Sequence, residues 1–280
     1  MSKIIIKLYE TLPNSFIKNI GKNKSLKKIR DYFLKKNGDY KIVKTQINRN
    51  YSNFHVSFNF YATVKTAVKA KNHGIENSLL SNSIKLLSDY NLTKKPVIFD
   101  IGASYGYLSL VWGKSILANG GLLYSFEPGL SVSKTTEKNF RENNLLSIIK
   151  FHNKAVGNKN EVVEIFDAGN HSNVIKSKTN TKPFLVDMVS IDQFILNENI
   201  EKVDLIKIDV DGIEFNILKG AENTIRKFNP ILIIEPNNES RIIEFCLDLG
   251  YKILDQKLIP YEFGQQIPAN IFCVHKNKLS

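Results

Sequence analysis

Residues 97–107 read Val-Ile-Phe-Asp-Ile-Gly-Ala-Ser-Tyr-Gly-Tyr, and this stretch decides the fold. An apolar strand that contains Asp100 runs into a turn with Gly102 and Gly106, and helix-like sequence follows. Because glycine has no Cβ, such a turn lets the backbone approach a nucleoside cofactor closely. Glu127 ends the next apolar run, where an acid can accept hydrogen bonds from both hydroxyls of a ribose. The pattern predicts the site of a nucleoside cofactor.

The spacing of the glycines distinguishes between two kinds of cofactor. A dinucleotide fingerprint reads Gly-x-Gly-x-x-Gly, but Ser104 and Tyr107 stand where its second and third glycines would follow Gly102. Asp100 would repel a pyrophosphate, whereas it suits the cationic amino-acid end of S-adenosyl-L-methionine. The spacing therefore favours a methyl donor over NAD(P). An ordinary turn capped by Ser104, with no ligand, stays open as the alternative.

From residue 96 the chain alternates between strand-like and helix-like segments, which is typical of a parallel, doubly wound α/β sheet. We expect seven strands, the last of them antiparallel, near 97–101, 122–127, 148–152, 204–209, 230–235, 251–255 and 271–275. We expect helices over about 104–118, 131–143, 189–197, 214–227 and 239–249. A polar stretch, 167–182, interrupts the alternation and is expected to loop over the sheet or to join a β-hairpin.

Between about Ile75 and Val274 the sequence resembles the FkbM family of methyltransferases. The likeness is carried by six segments: Phe99–Ala103, Phe126–Pro128, Asn153–Gly157, Asp204–Glu214, Leu218–Ala221 and Pro230–Glu235. It implies a Rossmann-like seven-stranded methyltransferase fold, S-adenosyl-L-methionine as the methyl donor, and methylation of a hydroxyl group on a sugar or natural product. This sequence has Ser104, Asp211 and Ile213 where the family usually has Asn, Glu and His, so the likeness names no catalytic base.

The residues expected to bind the cofactor lie in the glycine turn and at the ends of the neighbouring strands. They are Asp100, Gly102, Ala103, Ser104, Gly106, Glu127, Pro128, Asn153, Ala155 and Asp209.

Three acidic residues, Asp209, Asp211 and Glu214, lie at the predicted turn from the fourth strand to its helix. An O-methyltransferase must remove a proton from an alcohol, and a carboxylate with a raised pKa can be that base. We expect these three residues, together with His171 in the polar stretch, to provide the catalytic groups. Two alternatives stay open: the acids would hold Mg²⁺ or Ca²⁺, or Asp209 would only cap the following helix.

The positive charge of the protein is concentrated near its N-terminus. The net charge is +12, and residues 1–95 hold 19 lysine and arginine residues against 5 acidic ones. We therefore expect a basic, helical N-terminal extension over 1–74 and one methyltransferase domain over 75–280. A short amphipathic helix is expected to start at Ser25. It would either pack on its own domain or bind an anionic membrane.

The sequence predicts a cytoplasmic protein, with the basic N-terminus as the one part that would touch a membrane. Met1–Lys7 has too short an apolar core for a signal peptide, and no apolar run reaches the eighteen or so residues of a membrane span. Cys246 and Cys273 lack metal-ligand spacing and are expected to be buried free thiols.

We expect an O-methyltransferase that acts on a glycan, a glycolipid precursor or a similar metabolite. The alternative is an RNA-directed methyltransferase, or a nucleic-acid-binding protein, recruited by the basic N-terminus. Enzymes that methylate exocyclic amines normally carry an Asn/Asp-Pro-Pro-aromatic motif, and this sequence has no Pro-Pro pair. Nucleic acid is therefore the weaker expectation.

Overall fold

The structure is a computed structural model, and it describes residues 31, 34–36, 39–90, 95–167, 172–173 and 183–278. The strands within these residues are β1 (Lys35–Lys36), β2 (Asp39–Tyr40), β3 (Ile42–Tyr51), β4 (Phe54–Thr63), β5 (Val97–Ile101), β6 (Leu122–Phe126), β7 (Ile149–His152), β8 (Ala155–Gly157), β9 (Glu161–Asp167), β10 (Ser172–Asn173), β11 (Phe184–Ser190), β12 (Leu205–Ile208), β13 (Ile231–Ile234), β14 (Tyr251–Leu254) and β15 (Ile271–His275). The α-helices are α1 (Val64–Asn72), α2 (Asn77–Asp89), α3 (Tyr107–Lys114), α4 (Leu130–Glu142), α5 (Ile191–Asn197), α6 (Glu214–Lys219), α7 (Glu222–Phe228) and α8 (Ser240–Asp248).

A seven-stranded sheet with the order β14-β15-β13-β12-β5-β6-β7 forms the centre of the protein. Every neighbouring pair is parallel except the two pairs that β15 makes. The seven predicted strands are all present, with ends within one residue of the prediction, and the Rossmann-like fold is confirmed. The chain builds outward from β5 to β7 and then starts again at β12, so the direction of the connections reverses between β5 and β12. Ligands bind outside the carboxyl ends of strands at such a switch point.

Both faces of the central sheet are covered, which explains why its strands are nearly continuous apolar runs. Alternate side chains of β5 enter different clusters: Ile98 packs with Trp112 on one face, and Phe99 and Ile101 pack with Phe194 on the other. Because the side chains of β5 enter an apolar cluster on each face of the sheet, a buried polar residue is unusual in this strand. The buried Asp100 is that residue.

The predicted helix over 214–227 is wrong, because the structure has two helices, α6 and α7, on either side of Gly220 and Ala221. A Cβ at Gly220 would overlap the carbonyl oxygen of Gly157. The glycine therefore lets the end of α6 lie directly against β8. The helix predicted from residue 189 begins at Ile191.

A second sheet, with the order β10-β9-β11-β8, lies beyond the end of β7 and was not predicted. In it β11 is parallel to β8 and antiparallel to β9. Ser172–Asn173, in the polar stretch, form β10 and pair with β9. The described part of that stretch therefore agrees with the expectation that it joins a β-hairpin.

Residues 42–63 form a long β-hairpin, β3 and β4, and not part of a helical extension. Alternate side chains of both strands are mostly apolar, and they bury one face of the hairpin in the same core as Ile98 of β5 and α3. The rings of Phe58 and Phe60 pack edge-on against Tyr107, at centroid distances of 5.5 and 5.2 Å. The basic helical extension is therefore not confirmed, and the helix predicted from Ser25 starts outside the described residues.

The domain boundary between residues 74 and 75 stays a prediction, as does membrane contact by the N-terminus. Within the part of the chain that the structure describes, no helix is long and apolar enough to cross a membrane. Cys246 and Cys273 are buried free thiols, as predicted.

Candidate active site

A cleft lies at the carboxyl ends of β5 and β6, next to the switch point of the sheet. The lining residues come from five parts of the chain: Ile101, Gly102, Phe126, Pro128, Lys154, Ala155, Val156, Ile165, Val210 and Ile213. Three of the residues predicted to bind a cofactor, Gly102, Pro128 and Ala155, therefore meet on one cleft.

The turn after β5 is held to β6 by its backbone. The N–H groups of Gly102 and Ala103 both donate to the carbonyl oxygen of Phe126, at 3.0 Å each. Ser104 has a left-handed backbone, with φ +50°, and its N–H points to Glu127. The predicted turn residues thus form one rigid loop at the edge of the cleft.

Both glycines of this turn are required by contacts within the protein. Gly102 has φ +78°, and a Cβ there would overlap the carbonyl oxygen of Asp209 at the end of β12. A Cβ at Gly106 would lie 2.6 Å from the ring of Phe140. The sequence interpretation explained both glycines by close approach of a cofactor. The structure instead explains them by close approach of β5 to β12 and of α3 to α4.

Glu127 is buried, and its carboxylate faces the turn. Oε2 accepts a hydrogen bond from the N–H of Ser104 at 2.9 Å, and Oε1 accepts one from the N–H of Gly129 at 2.8 Å. Burial raises the pKa of Glu127 above its ordinary value, against the opposing effects of these two N–H groups and of Lys207. Each carboxylate oxygen has two lone pairs, so Glu127 keeps the capacity to accept hydrogen bonds from ligand hydroxyls.

Asn153 fixes the segment that follows β6. Its Nδ2 donates to the carbonyl oxygens of Glu127 and Pro128, at 2.8 and 3.0 Å. These bonds hold Pro128 on the wall of the cleft, which the buried Ala155 also lines. In this structure Asn153 therefore shapes the cleft through the backbone.

Asp100 lies behind the turn and has no exposed surface. Ser109 donates to its Oδ2 at 2.6 Å, and the ammonium of Lys207 lies 3.4 Å from its Oδ1. The sequence interpretation placed Asp100 against the ammonium of a bound ligand. The structure gives this carboxylate a cation of the protein instead, so Asp100 is a support of the turn rather than part of the cleft wall.

Asp209 and Glu235 meet at the carboxyl ends of the neighbouring strands β12 and β13. A hydrogen bond to Asp209, burial, and the nearby charges of Asp209, Asp211 and Glu214 together raise the pKa of Glu235 to about 8. Glu235 is therefore protonated at neutral pH and donates to Asp209. Asp209 is 38% exposed, and Asp211 is exposed with φ +63°. The pair thus presents a carboxylate to solvent beside Gly102.

Glu214, predicted to act in catalysis or metal binding, is fully buried beneath this loop. Its carboxylate accepts hydrogen bonds from the N–H of Val210 at 3.3 Å, from the N–H of Gly212 at 3.0 Å, and from Nδ2 of Asn237 at 3.0 Å. As the first residue of α6, it reaches back over the loop that precedes the helix. We correct its role accordingly: Glu214 holds the loop that carries Asp209 and Asp211, and does not face the cleft.

The remaining predicted catalytic residue, His171, lies outside the described residues. Among the residues that the structure does describe, no group of three His, Cys, Asp or Glu side chains is arranged to hold a metal ion.

Two features of the site were missed by sequence reasoning. The contacts of the Lys207 ammonium with Asp100 and Asp209 were not predicted. The apolar wall formed by Ile165, Val210 and Ile213 was not foreseen, because these residues come from distant segments without a shared motif. By contrast, the position of Glu235 is marked in the sequence, because this acid directly follows the apolar run of β13.

A model of the FkbM methyltransferase domain matches residues 100–253, more than half of the chain. A methyltransferase FkbM from Methylobacillus flagellatus KT is 19% identical, with a TM-score of 0.45 over 75% of this chain and 54% of that chain. An O-methyltransferase from Bacillus cereus, solved in complex with SAH, is 16% identical, with a TM-score of 0.46 over 76% of this chain and 87% of that chain. The chain spans about half the length of the M. flagellatus protein. No curated protein matches the sequence.

Proposed function

The chain belongs to the FkbM methyltransferase family, and from this premise we propose that it transfers the methyl group of S-adenosyl-L-methionine to a hydroxyl group. The observation that carries the proposal is the cleft at the ends of β5 and β6. Gly102, Pro128 and Ala155 line it, and Glu127 and Asn153 hold its wall. S-adenosyl-L-methionine supplies an activated methyl group on a sulfonium when it is bound.

Glu127 is the residue we propose for recognition of the ribose. Its two oxygens are each engaged once by backbone N–H groups, which fixes their direction and leaves lone pairs for two hydroxyls. A buried carboxylate is stabilised by additional donors and by a cationic ligand nearby. The hydrogen-bonding capacity and the charge of Glu127 therefore suit a cationic nucleoside.

We propose Asp209 as the base that takes the proton of the acceptor hydroxyl. Its side chain is 38% exposed, and its backbone carbonyl lies against Gly102, which lines the cleft. Because the raised pKa of Glu235 keeps one proton on the pair at neutral pH, the pair holds one carboxylate that can take the proton of the hydroxyl. Asp211, exposed on the same loop, is proposed to hydrogen-bond the acceptor.

For the acceptor we propose a glycan, a glycolipid precursor or a similar polyhydroxylated metabolite. Carboxylates are good acceptors for the vicinal hydroxyls of such molecules. Two acidic side chains on the loop after β12 would also repel a phosphodiester chain, which argues against RNA. A neutral or cationic polyol suits this surface better than a polyanion.

Methyl transfer from radiolabelled S-adenosyl-L-methionine to panels of glycans, lipid-linked sugars and RNA tests the proposal. With a hydroxylated acceptor, Asp209→Asn should lower the rate roughly 10²–10⁴-fold, as for loss of a general base, without changing cofactor affinity. Asp248→Asn, on an exposed position at the end of α8, is the matched control and should keep the full rate. Label in RNA alone, or an Asp209→Asn variant with full activity, would contradict the proposal.

A further inference from the structure

Lys207 is a buried lysine at the switch point of the sheet, and only 4% of its side chain is exposed. It lies on β12 opposite Asp100 of β5. Burial alone would lower the pKa of Lys207, but the carboxylates of Asp209 and Asp100 outweigh this effect and raise it above its ordinary value. The amine is therefore charged at neutral pH.

The ammonium of Lys207 contacts the carbonyl oxygens of the turn. It donates to Gly102 O at 2.9 Å and to Ile101 O at 3.3 Å. These two carbonyls belong to the same peptide groups whose N–H groups, on Gly102 and Ala103, donate to Phe126 O. Two peptide planes of the turn are thus held from both sides, by β6 on one side and by Lys207 on the other.

The same ammonium also reaches the other half of the site. Asp209 Oδ2 lies 3.5 Å from Nζ, and Asp209 forms the pair with Glu235. Packing alone does not require a lysine here, because an apolar side chain of similar length would fill the space without the desolvation of a charge. A buried cation that contacts both the turn and Asp209 is more consistent with a role in arranging them.

We propose that Lys207 is the positioning residue that joins the two halves of the site. It holds the turn on the cofactor side and the Asp209 carboxylate on the acceptor side in one arrangement. This inference rests on the proposed function for its cofactor half, whereas its link to Asp209 can be measured without any ligand.

The test compares two variants, because Lys207→Met alone would leave Asp100 buried without a counter-ion and could prevent folding. Asp100→Asn is the reference, and Asp100→Asn/Lys207→Met removes the ammonium without leaving a buried carboxylate unpaired at position 100. Circular dichroism confirms that both are folded. Calorimetric titration with S-adenosyl-L-methionine should then show a dissociation constant roughly tenfold or more higher for the double variant, the usual effect of losing hydrogen bonds from a charged donor.

The second readout is the pH at which stability falls as the Asp209–Glu235 pair loses its proton. The charged groups that face Glu235 are Asp209, Asp211 and Glu214, and Lys207 faces Asp209. Removal of the ammonium makes the doubly ionised pair less favourable. The fall in the thermal midpoint should therefore move to higher pH in the double variant than in Asp100→Asn. A lysine that only fills space would lower the midpoint equally at every pH.

The two readouts separate this inference from the proposed function. If the unmodified protein does not bind S-adenosyl-L-methionine, the proposed function fails, and the pH readout alone decides whether Lys207 controls Asp209. If the unmodified protein binds but both variants bind equally, the cofactor half of the inference is overturned. A pH dependence that is the same in both variants overturns the acceptor half.

Discussion

Replacement of Gly102 by alanine tests whether the turn is shaped by the protein or by its ligand. The residue has φ +78°, a left-handed backbone that disfavours a Cβ by roughly 1–2 kcal/mol. The new Cβ would also overlap the Asp209 carbonyl oxygen and lie 3.0 Å from both the carbonyl carbon of Asp209 and Cγ1 of Val210. Relief of such overpacking typically costs a further 1–3 kcal/mol, roughly. The free energy of unfolding should therefore fall by about 2–5 kcal/mol.

The assay is urea unfolding of the protein without any cofactor, followed by circular dichroism. Gly264→Ala is the matched control, because Gly264 also has a positive φ, +96°, but no atom lies within 4 Å of the added Cβ. The control should lose only the backbone contribution, and the difference between the two variants should be about 1–3 kcal/mol. If Gly102→Ala is no less stable than Gly264→Ala and loses only ligand binding, the glycine serves the ligand and our interpretation of the turn is refuted.

Two further predictions concern the acid pair and the basic N-terminus. Because the folded state raises the pKa of Glu235 from its ordinary 4.5 to about 8, the stabilisation is complete below pH 4.5 and disappears as the pH rises through about 8. The thermal midpoint should fall across that window, and Glu235→Gln should abolish the Glu235 contribution to the fall; an unchanged pH profile would contradict the pairing. The protein should sediment with anionic vesicles at low salt and less at high salt, and Lys27→Glu/Lys28→Glu should weaken this sedimentation. Equal sedimentation with neutral vesicles would contradict membrane contact.

The central sheet could be predicted because its strands carry their own signal. A strand covered on both faces is a nearly continuous apolar run, and three parallel strands, β6, β12 and β13, are each followed directly by an acidic residue. That regularity locates strand ends to within one residue. Because β6, β12 and β13 run in the same direction, Glu127, Asp209 and Glu235 lie at one edge of the sheet.

The hairpin at residues 42–63 was missed for a physical reason. The inward positions of β3 include the polar residues Thr45 and Arg49, which interrupt the apolar alternation that marks a half-buried strand. Its position depends on distant partners, since the side chains of Asn139 and Asn143 on α4 bond the backbone of Tyr61 and Asn59. Contacts across about eighty residues leave no mark in local sequence.

The site could be predicted as a neighbourhood but not as a set of contacts. The spacing of Asp100, Glu127 and Glu214 in the sequence predicted correctly the edge of the sheet at which they lie. It could not tell that Lys207 and Ser109 enclose Asp100, or that two backbone N–H groups turn Glu214 away from the cleft. Which partner a carboxylate takes depends on differences of an ångström or two between side chains, and sequence separation does not determine them.

The most direct test of the proposed cofactor site is calorimetric titration of the folded, unmodified protein with S-adenosyl-L-methionine, alongside Glu127→Gln. We predict saturable binding of one ligand per chain, and an affinity roughly 10–100-fold lower for Glu127→Gln, because a hydrogen-bonded charge at the cleft is lost. Glu137→Gln, an exposed position on α4, is the control and should bind normally. No binding by the unmodified protein, preference for NAD(H) in the same titration, or equal affinity of Glu127→Gln would contradict the cofactor assignment.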